Sequence, residues 1–522
     1  MYVTQGLRRA AQIKPNGTAT LFHKRRRTWR ETEDRVMRLA GGLLKLGMAT
    51  GGRVAILALN SDRYFEYLLG VTHAGCAVVP INIRLAAPEI AYILEDSGAE
   101  ILFIDDRFAP LLDALKGEIG TLREIVFLGD GTPPAGMRAY EDLISVPRLV
   151  EAVGANDDLA GIFYTGGTTA KAKGVMLSHR NLVTNAANAV PAFGYDAETI
   201  YLHAGPMFHL ADGASTLAVT AVGGEHAFIP AFDPSNFLAT VESEKVTHTL
   251  LVPTMINMLV NYPKITDFDA STLRRVSYGA SPMPDAVFRK ALQTLPHVRF
   301  AHAYGMTEAA PLVTSLDSRY GTLDGPYAGR SKSCGQAALM VEVRIADTDD
   351  REVPRGTVGE VQVRGPNIML GYWRKPELSA EALRGGWYHT GDGGYMDEEG
   401  FVFIVDRLKD MIISGGENVY SAEVENAILL HDAVAEVAIV GIPDETWGEA
   451  VHAIVVPRAG RTVTPDEIIA HCRNLIAGYK CPHSVVIRSE PMPLSGAGKI
   501  LKSTLRAPYW EGRQRIVQAN IQ

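Results

Sequence analysis

Cysteine is scarce. The 522 residues hold four, Cys76, Cys334, Cys472 and Cys481, and no two form a Cys-x-x-Cys pair. Zinc ribbons and disulfide frameworks are therefore excluded. Cys472 and Cys481 are close enough in sequence to approach each other, but so thin a thiol content fits a reducing cytoplasm, the expected compartment. Long apolar runs are missing too. No segment is long enough to span a bilayer, and the N-terminus lacks the apolar core of a signal peptide. Positive charge is in deficit: 51 Lys and Arg stand against 59 Asp and Glu, a net charge of −8, which leaves no broad basic footprint for nucleic acid. The one basic run, Lys24–Arg27 beside Trp29, reads as a solvated hairpin turn. Internal repeats and low-complexity segments are absent. What remains, 47% apolar and 21% charged, describes a globular protein, and its length requires two or more domains.

Strands and helices alternate over the first three hundred residues. Ala19–Phe22 and Lys24–Trp29 suggest a hairpin. Glu31–Leu46 carries apolar residues at helical spacing, with Gly47 as its stop. Arg53–Leu59, Ala77–Ile83 and Ile101–Ile104 are compact strands, and helices over Tyr64–Ala74 and Pro88–Ser97 separate them. Further on, strands are expected at Ile200–Gly205, Val246–Val252, Arg275–Tyr278 and Arg299–Tyr304, with helices over Ser178–Ala189, Thr254–Val260 and Pro284–Leu295. This alternation predicts an α/β fold with parallel-rich sheets. Polar loops follow the strands, where open α/β sheets bind ligands. From about residue 335 short alternating strands predict a small β-rich subdomain, to about residue 405. Residues 411–522 predict a smaller α+β lobe, with a helix from Ser421 to Leu430 and a capping box at Thr464–Glu467.

Between two apolar runs lies Tyr164-Thr-Gly-Gly-Thr-Thr-Ala-Lys-Ala-Lys-Gly-Val175. Glycines let main-chain N–H groups converge on an anion. Threonines add hydroxyl donors and lysines add charge, which is the chemistry of a polyphosphate loop. A Walker A loop, which needs Gly-Lys-Ser/Thr opening a helix, is excluded, because the chain reads Ala172-Lys173-Gly174 here and continues with the β-branched Val175. A polar hairpin loop is the bland alternative.

The loop resembles the phosphate-binding signature of the adenylate-forming superfamily, which includes acyl-CoA synthetases, luciferases and peptide-synthetase adenylation domains. It departs from that signature at Gly166, Ala170 and Ala172, which stand for serine, glycine and proline. Other motifs of the superfamily recur in order along nearly the whole chain. The resemblance implies a large adenylation lobe over residues 1–405, a hinge at 406–410 and a mobile lobe over 411–522.

It also implies roles. Thr165, Gly166, Gly167, Thr168, Thr169 and Lys173 would hold the phosphates of ATP. In Tyr304-Gly305-Met306-Thr307-Glu308, Tyr304 would stack on adenine, Thr307 contact the α-phosphate and Glu308 bind Mg²⁺, for which a carboxylate is a suitable hard ligand. Ala280, Ser281 and Pro282 would wall the adenine pocket, with Gly279, His302, Ala303 and Gly305 completing the nucleotide set. Asp392 and Arg407 would clasp the ribose. Lys409 marks the hinge, and Lys499 is the adenylation lysine, with Lys502 a bystander. Gly415, Gly416 and Glu417 would line the coenzyme A tunnel. Phe208, Tyr278 and Ala310 would line the acyl pocket, with His209 as its gate. Gly359-Glu360-Val361 and Gly371-Tyr372 match structural motifs and receive no chemistry. Asp212 receives a structural or solvated role.

The implied activity is that of an acyl-CoA ligase: carboxylate plus ATP gives acyl-AMP and pyrophosphate, and coenzyme A then gives acyl-CoA and AMP. The resemblance places the acidic partner of an α-amino group, in amino-acid-activating relatives, within residues 204–208, which hold none here, so amino acids are disfavoured. The lining it implies is mainly apolar, so an apolar acid is expected, fatty slightly ahead of aryl. Other readings remain open: loading of a carrier-protein thiol, a luciferase-type oxygenase, and an ATP-binding sensor suggested by the altered loop. Either a monomer or a homodimer is compatible with the sequence.

Overall fold

The protein is described by a computed structural model covering residues 1–115, 120–165, 172–281, 283–408, 410–415, 417–494 and 500–511. Two large sheets dominate it. In the first, Arg53–Leu57 pairs in parallel with Ala77–Pro80 and Ile101–Ile104, and Glu124–Phe127 continues the series. Leu159–Thr165 joins alongside Ala77–Pro80, then turns back as Lys173–Ser178. In the second, Ile200–His203, His248–Leu251, Arg275–Gly279 and Arg299–Gly305 run parallel and adjacent. The N-terminal hairpin, Thr18–Phe22 with Arg25–Thr28, extends its far edge. The parallel strands at the centre of each sheet, such as Ala77–Pro80, Ile101–Ile104 and His248–Leu251, are buried throughout, which is why most of them read as compact apolar runs.

A four-stranded antiparallel sheet follows, ordered Glu342–Ala346, Gly359–Arg364, Tyr388–Met396 and Val402–Arg407. Its last strand carries Asp406 and Arg407, so two residues expected in the hinge are sheet residues. The C-terminal sheet centres on the long pair Val434–Asp444 and Gly448–Pro457 and has its own apolar core. The mixed α/β architecture matches the fold class read from the sequence.

Local signals explain most boundaries. Thr28 and Glu31 form a capping box, so the first long helix begins at Trp29 and buries that indole completely. Ser178 caps His179–Phe193 through the amide of Asn181, and Gly194 ends it in the left-handed region at φ 64°. The Thr464–Glu467 box opens helix Pro465–Arg473 as expected. Helix Leu210–Val222 and strand Glu225–Phe228 went unread because Asp212, Gly213, Ser215 and Thr216 break up the apolar residues of the helix and the strand is only four residues long.

Candidate active site

Strands Arg275–Gly279 and Arg299–Gly305 end at the same edge of the second sheet, with Tyr278 opposite His302 and Gly279 opposite Ala303. The Tyr278 and His302 rings stack, centroids 4.8 Å apart and planes 8° from parallel. Burial pushes the His302 pKa down, so the ring is neutral. A Cβ on Gly279 would lie 2.2 Å from the carbonyl oxygen of Ala303, and one on Gly305 would lie 1.9 Å from that of Pro311. Close main-chain approach therefore fixes both glycines. Ala280 and Ala310 sit at φ 67° and 63°, a left-handed conformation unusual for alanine. Ala310 closes the short turn Thr307–Ala309 that presents Thr307 and Glu308.

Tyr304 points across to the four-stranded sheet. Its hydroxyl donates to Asp392 Oδ2 at 2.6 Å, while Arg407 Nε meets Asp392 Oδ1 at 2.6 Å. Asp392 and Arg407 face each other on neighbouring strands. Burial and the Asp392 charge hold the Tyr304 phenol well above its usual pKa, so it stays a donor. Glu308 Oε1 accepts from the Tyr372 hydroxyl at 3.0 Å, and the Lys173 ammonium lies 4.4 Å from the centre of the Tyr372 ring. Tyr304, Asp392, Arg407, Glu308 and Lys173 thus form two linked groups from distant parts of the chain. Tyr372 is a site residue that received no chemistry from the sequence. So is Tyr388, buried where burial, then Glu308, raise its pKa. Gly371–Tyr372 forms a short strand against Lys173–Ser178, and that pairing carries the phenol to Glu308.

Phe208 and His209 follow strand Ile200–His203, and their rings meet at 4.3 Å as helix Leu210–Val222 begins. Asp212 in its first turn is buried and not solvated. It accepts from the Tyr201 hydroxyl at 3.1 Å and pairs with His203 Nδ1 at 2.6 Å. Its role is structural. The Lys24–Arg27 run does lie in a hairpin, with Lys24 exposed in its turn, but its arginines are paired: Arg25 binds Asp62 and Asp130, Arg27 binds Asp62, and Arg26 binds Glu244.

Gly415 and Glu417 lie in the hairpin of Ile412–Ser414 and Glu417–Val419 on the C-terminal sheet. Gly415 sits at φ 61° against the Trp447 indole, 2.7 Å from where a Cβ would fall. Lys502 is a buried structural cation: its Nζ reaches Ser421 Oγ at 2.5 Å and Glu425 at 2.7 Å. Thr165 and Lys173 face each other at the end of the pairing between Leu159–Thr165 and Lys173–Ser178. Ser281 follows Ala280 at the sheet edge, partly exposed. Gly166, Gly167, Thr168, Thr169, Pro282, Lys409, Gly416 and Lys499 lie outside the described residues. The four cysteines are free and buried. Among the described residues, no helix is long and apolar enough to cross a membrane.

Residues 7–373 match the family model described as AMP-binding enzyme, and residues 423–499 match that described as AMP-binding enzyme C-terminal domain. A feruloyl-CoA synthase from an Amycolatopsis species is 39% identical over 96% of this chain and 98% of its own. The long-chain-fatty-acid–CoA ligase FadD13 of Mycobacterium tuberculosis is 34% identical over 93% of each. The crystal structure of ATP-bound MatB from Rhodopseudomonas palustris superposes with a TM-score of 0.87 at 29% identity, covering 98% of this chain and 100% of that one.

Proposed function

The chain belongs to the AMP-binding enzyme family, in its acyl-CoA synthetase branch, and from that premise we propose that it joins an apolar carboxylic acid to coenzyme A at the cost of ATP. The observation that carries this reading is the Tyr304–Asp392–Arg407 contact set beside Glu308 and Lys173. It offers a ring for a base, a carboxylate and a guanidinium for a sugar, and charged groups for phosphates.

In the first step a carboxylate oxygen attacks the α-phosphorus of ATP, and the bond to pyrophosphate breaks. Two anions must approach, so positive charge and hydrogen-bond donors belong where negative charge gathers. Lys173, the Thr307 hydroxyl and Lys499 are assigned that task. The Glu308 carboxylate and Thr307 hydroxyl are hard oxygen donors that suit Mg²⁺. Bound there, the ion would neutralise phosphate charge. Tyr372 holds Glu308 in place by its hydrogen bond. In the second step the coenzyme A thiol attacks the acyl carbonyl, and the bond to AMP breaks. The thiol arm would pass Gly415, Gly416 and Glu417. Residues 406–410 serve as the hinge between lobes 1–405 and 411–522, exchanging Lys499 for the thiol arm.

Phe208, Tyr278 and Ala310 are assigned to the acyl group, with His209 at its gate. Two observations favour an aryl-bearing acid over the fatty acid first expected. Tyr278, assigned to the acyl group, stacks flat on His302, and the feruloyl-CoA synthase shares more identity than the fatty-acid ligase. A fatty acid is the second reading, on the strength of that ligase. The test is AMP release with a panel of arylpropenoic, arylacetic, medium-chain and long-chain acids, with coenzyme A or a holo carrier protein as acceptor. Acid-dependent AMP and acyl-CoA, highest with an aryl acid, is the expected result. Transfer to the carrier protein alone, or ATP binding without turnover, would overturn the assignment.

A further inference from the structure

Strand Tyr388–Met396 does not run straight past strand Gly359–Arg364. Glu360 pairs with Gly393 and Gln362 with His389, so Val361 alone faces Thr390, Gly391 and Asp392. The surplus residues form a bulge in which Gly391 sits at φ 70°, where a side chain would be strained. A bulge takes main-chain groups out of the ladder, and buried ones need other partners.

Side chains supply them. The amide of Gly391 donates to Glu360 Oε1 at 3.0 Å, and His389 Nδ1 lies 2.7 Å from Glu360 Oε2. One carboxylate thus grips the bulge on the side of Gly391 and on that of His389. Thr390 Oγ1 donates to the Val361 carbonyl at 2.7 Å and accepts from the Asp392 amide at 3.0 Å. The Gly391 carbonyl accepts from the amide of Leu408 at 2.9 Å, within the segment assigned as the hinge. The residue that leaves the bulge is Asp392, directed at Tyr304 and Arg407.

We propose that Glu360 is a positioning residue for ATP recognition: it sets the bulge that aims the Asp392 carboxylate at the ribose. This rests on the reading of Asp392 as the ribose ligand. The grouping of Asp350, Glu360 and His389, whose ligand atoms lie within 4.8 Å of one another, is not needed as a metal site. Arg384 lies 3.2 Å from Asp350 and 3.7 Å from Glu360 and already supplies a cation. Glu360 therefore serves as the brace within an ion-pair network.

The experiment measures kcat and KM in acid-dependent pyrophosphate exchange with ATP, 2′-deoxy-ATP and 3′-deoxy-ATP. It compares the parent enzyme with E360A, E360D, E360Q, D392A and E360A/D392A, and melting temperatures are recorded alongside. In the parent, ATP is preferred to the deoxy forms. E360A raises the KM for ATP about ten-fold, the size expected for one lost charge-assisted hydrogen bond, and removes most of that preference. E360Q keeps an acceptor for the Gly391 amide and retains most of it. The double variant behaves like D392A alone, because the two residues act through one contact. If E360A melts lower but discriminates like the parent, Glu360 is only structural and the inference falls while the Asp392 reading stands. If D392A keeps full discrimination, the Asp392 reading falls and takes this one with it. Should E360A fail to fold, E360D decides: partial loss of discrimination supports the brace, and full retention overturns it.

Discussion

At the scale of single residues, two phenols allow the proposed nucleotide grip and the proposed metal placement to be tested apart. Tyr304→Phe removes the donor to Asp392 Oδ2 but keeps the ring. The expected outcome in initial-rate assays is a rise of about ten-fold in the KM for ATP with little change in kcat, the cost of one hydrogen bond to a charged group. Tyr372→Phe instead leaves Glu308 without its 3.0 Å donor. A lower kcat, with a higher Mg²⁺ concentration at half-maximal rate, is expected from a magnesium titration. An unchanged titration would detach Tyr372 from the metal role. The sequence singled out Tyr304, Glu308, Asp392 and Arg407 because each sits in a short motif, and the structure brings Tyr304, Asp392 and Arg407 into contact. Tyr372 was not legible as a site residue, since its hydroxyl meets a carboxylate 64 positions away only once the sheets are assembled.

Buried histidines give a pH prediction. Burial lowers His179 and His248 to about 4, and His179 Nδ1 accepts from the amide of Val3 at 3.2 Å, which needs an unprotonated nitrogen. In the unfolded chain each titrates near the ordinary value of about 6.5. Their folded values lie below the unfolded one, so the stability they contribute is present above about pH 6.5. It is lost as pH falls towards 4, because the unfolded state then binds more protons. Together they are worth on the order of a few kcal/mol. A melting temperature several degrees lower at pH 5 than at pH 7.5 is expected by calorimetry. No change would show that these rings do not resist protonation.

At the scale of elements, close strand ends matter more than any helix. Gly305→Ala would place a Cβ 1.9 Å from the Pro311 carbonyl, with no flexible side chain to yield. The main chain must move, at a cost of about 1–3 kcal/mol, the range for forced overpacking. Urea unfolding should show that loss, and the KM for ATP should rise because Tyr304 moves with the strand. The sequence marked where these strands end, since apolar runs stop at glycine. It could not show why the glycines are needed. Nor could it show the bulge at Thr390–Asp392, because Glu360 braces it from 31 positions away.

At the scale of the whole molecule, strand order and lobe contacts are products of tertiary packing and were not legible. The division into α/β sheets, a β-rich sheet and a C-terminal lobe was, because the spacing of apolar residues changes along the chain. The C-terminal helix Lys502–Arg506 holds the segment assigned as the hinge, with Arg506 3.1 Å from Asp410. If that segment turns between the two steps, Arg506→Ala should leave pyrophosphate exchange within about two-fold while altering coenzyme A-dependent AMP release. Equal effects on both steps would argue against a hinge there.

The most direct measurement is incorporation of labelled pyrophosphate into ATP, without coenzyme A, in the presence of an apolar carboxylic acid. Incorporation that requires the acid, and that falls sharply in Asp392→Ala and Lys499→Ala, is the expected result. Tight ATP binding with no acid-dependent incorporation from any member of the panel would contradict an adenylating site.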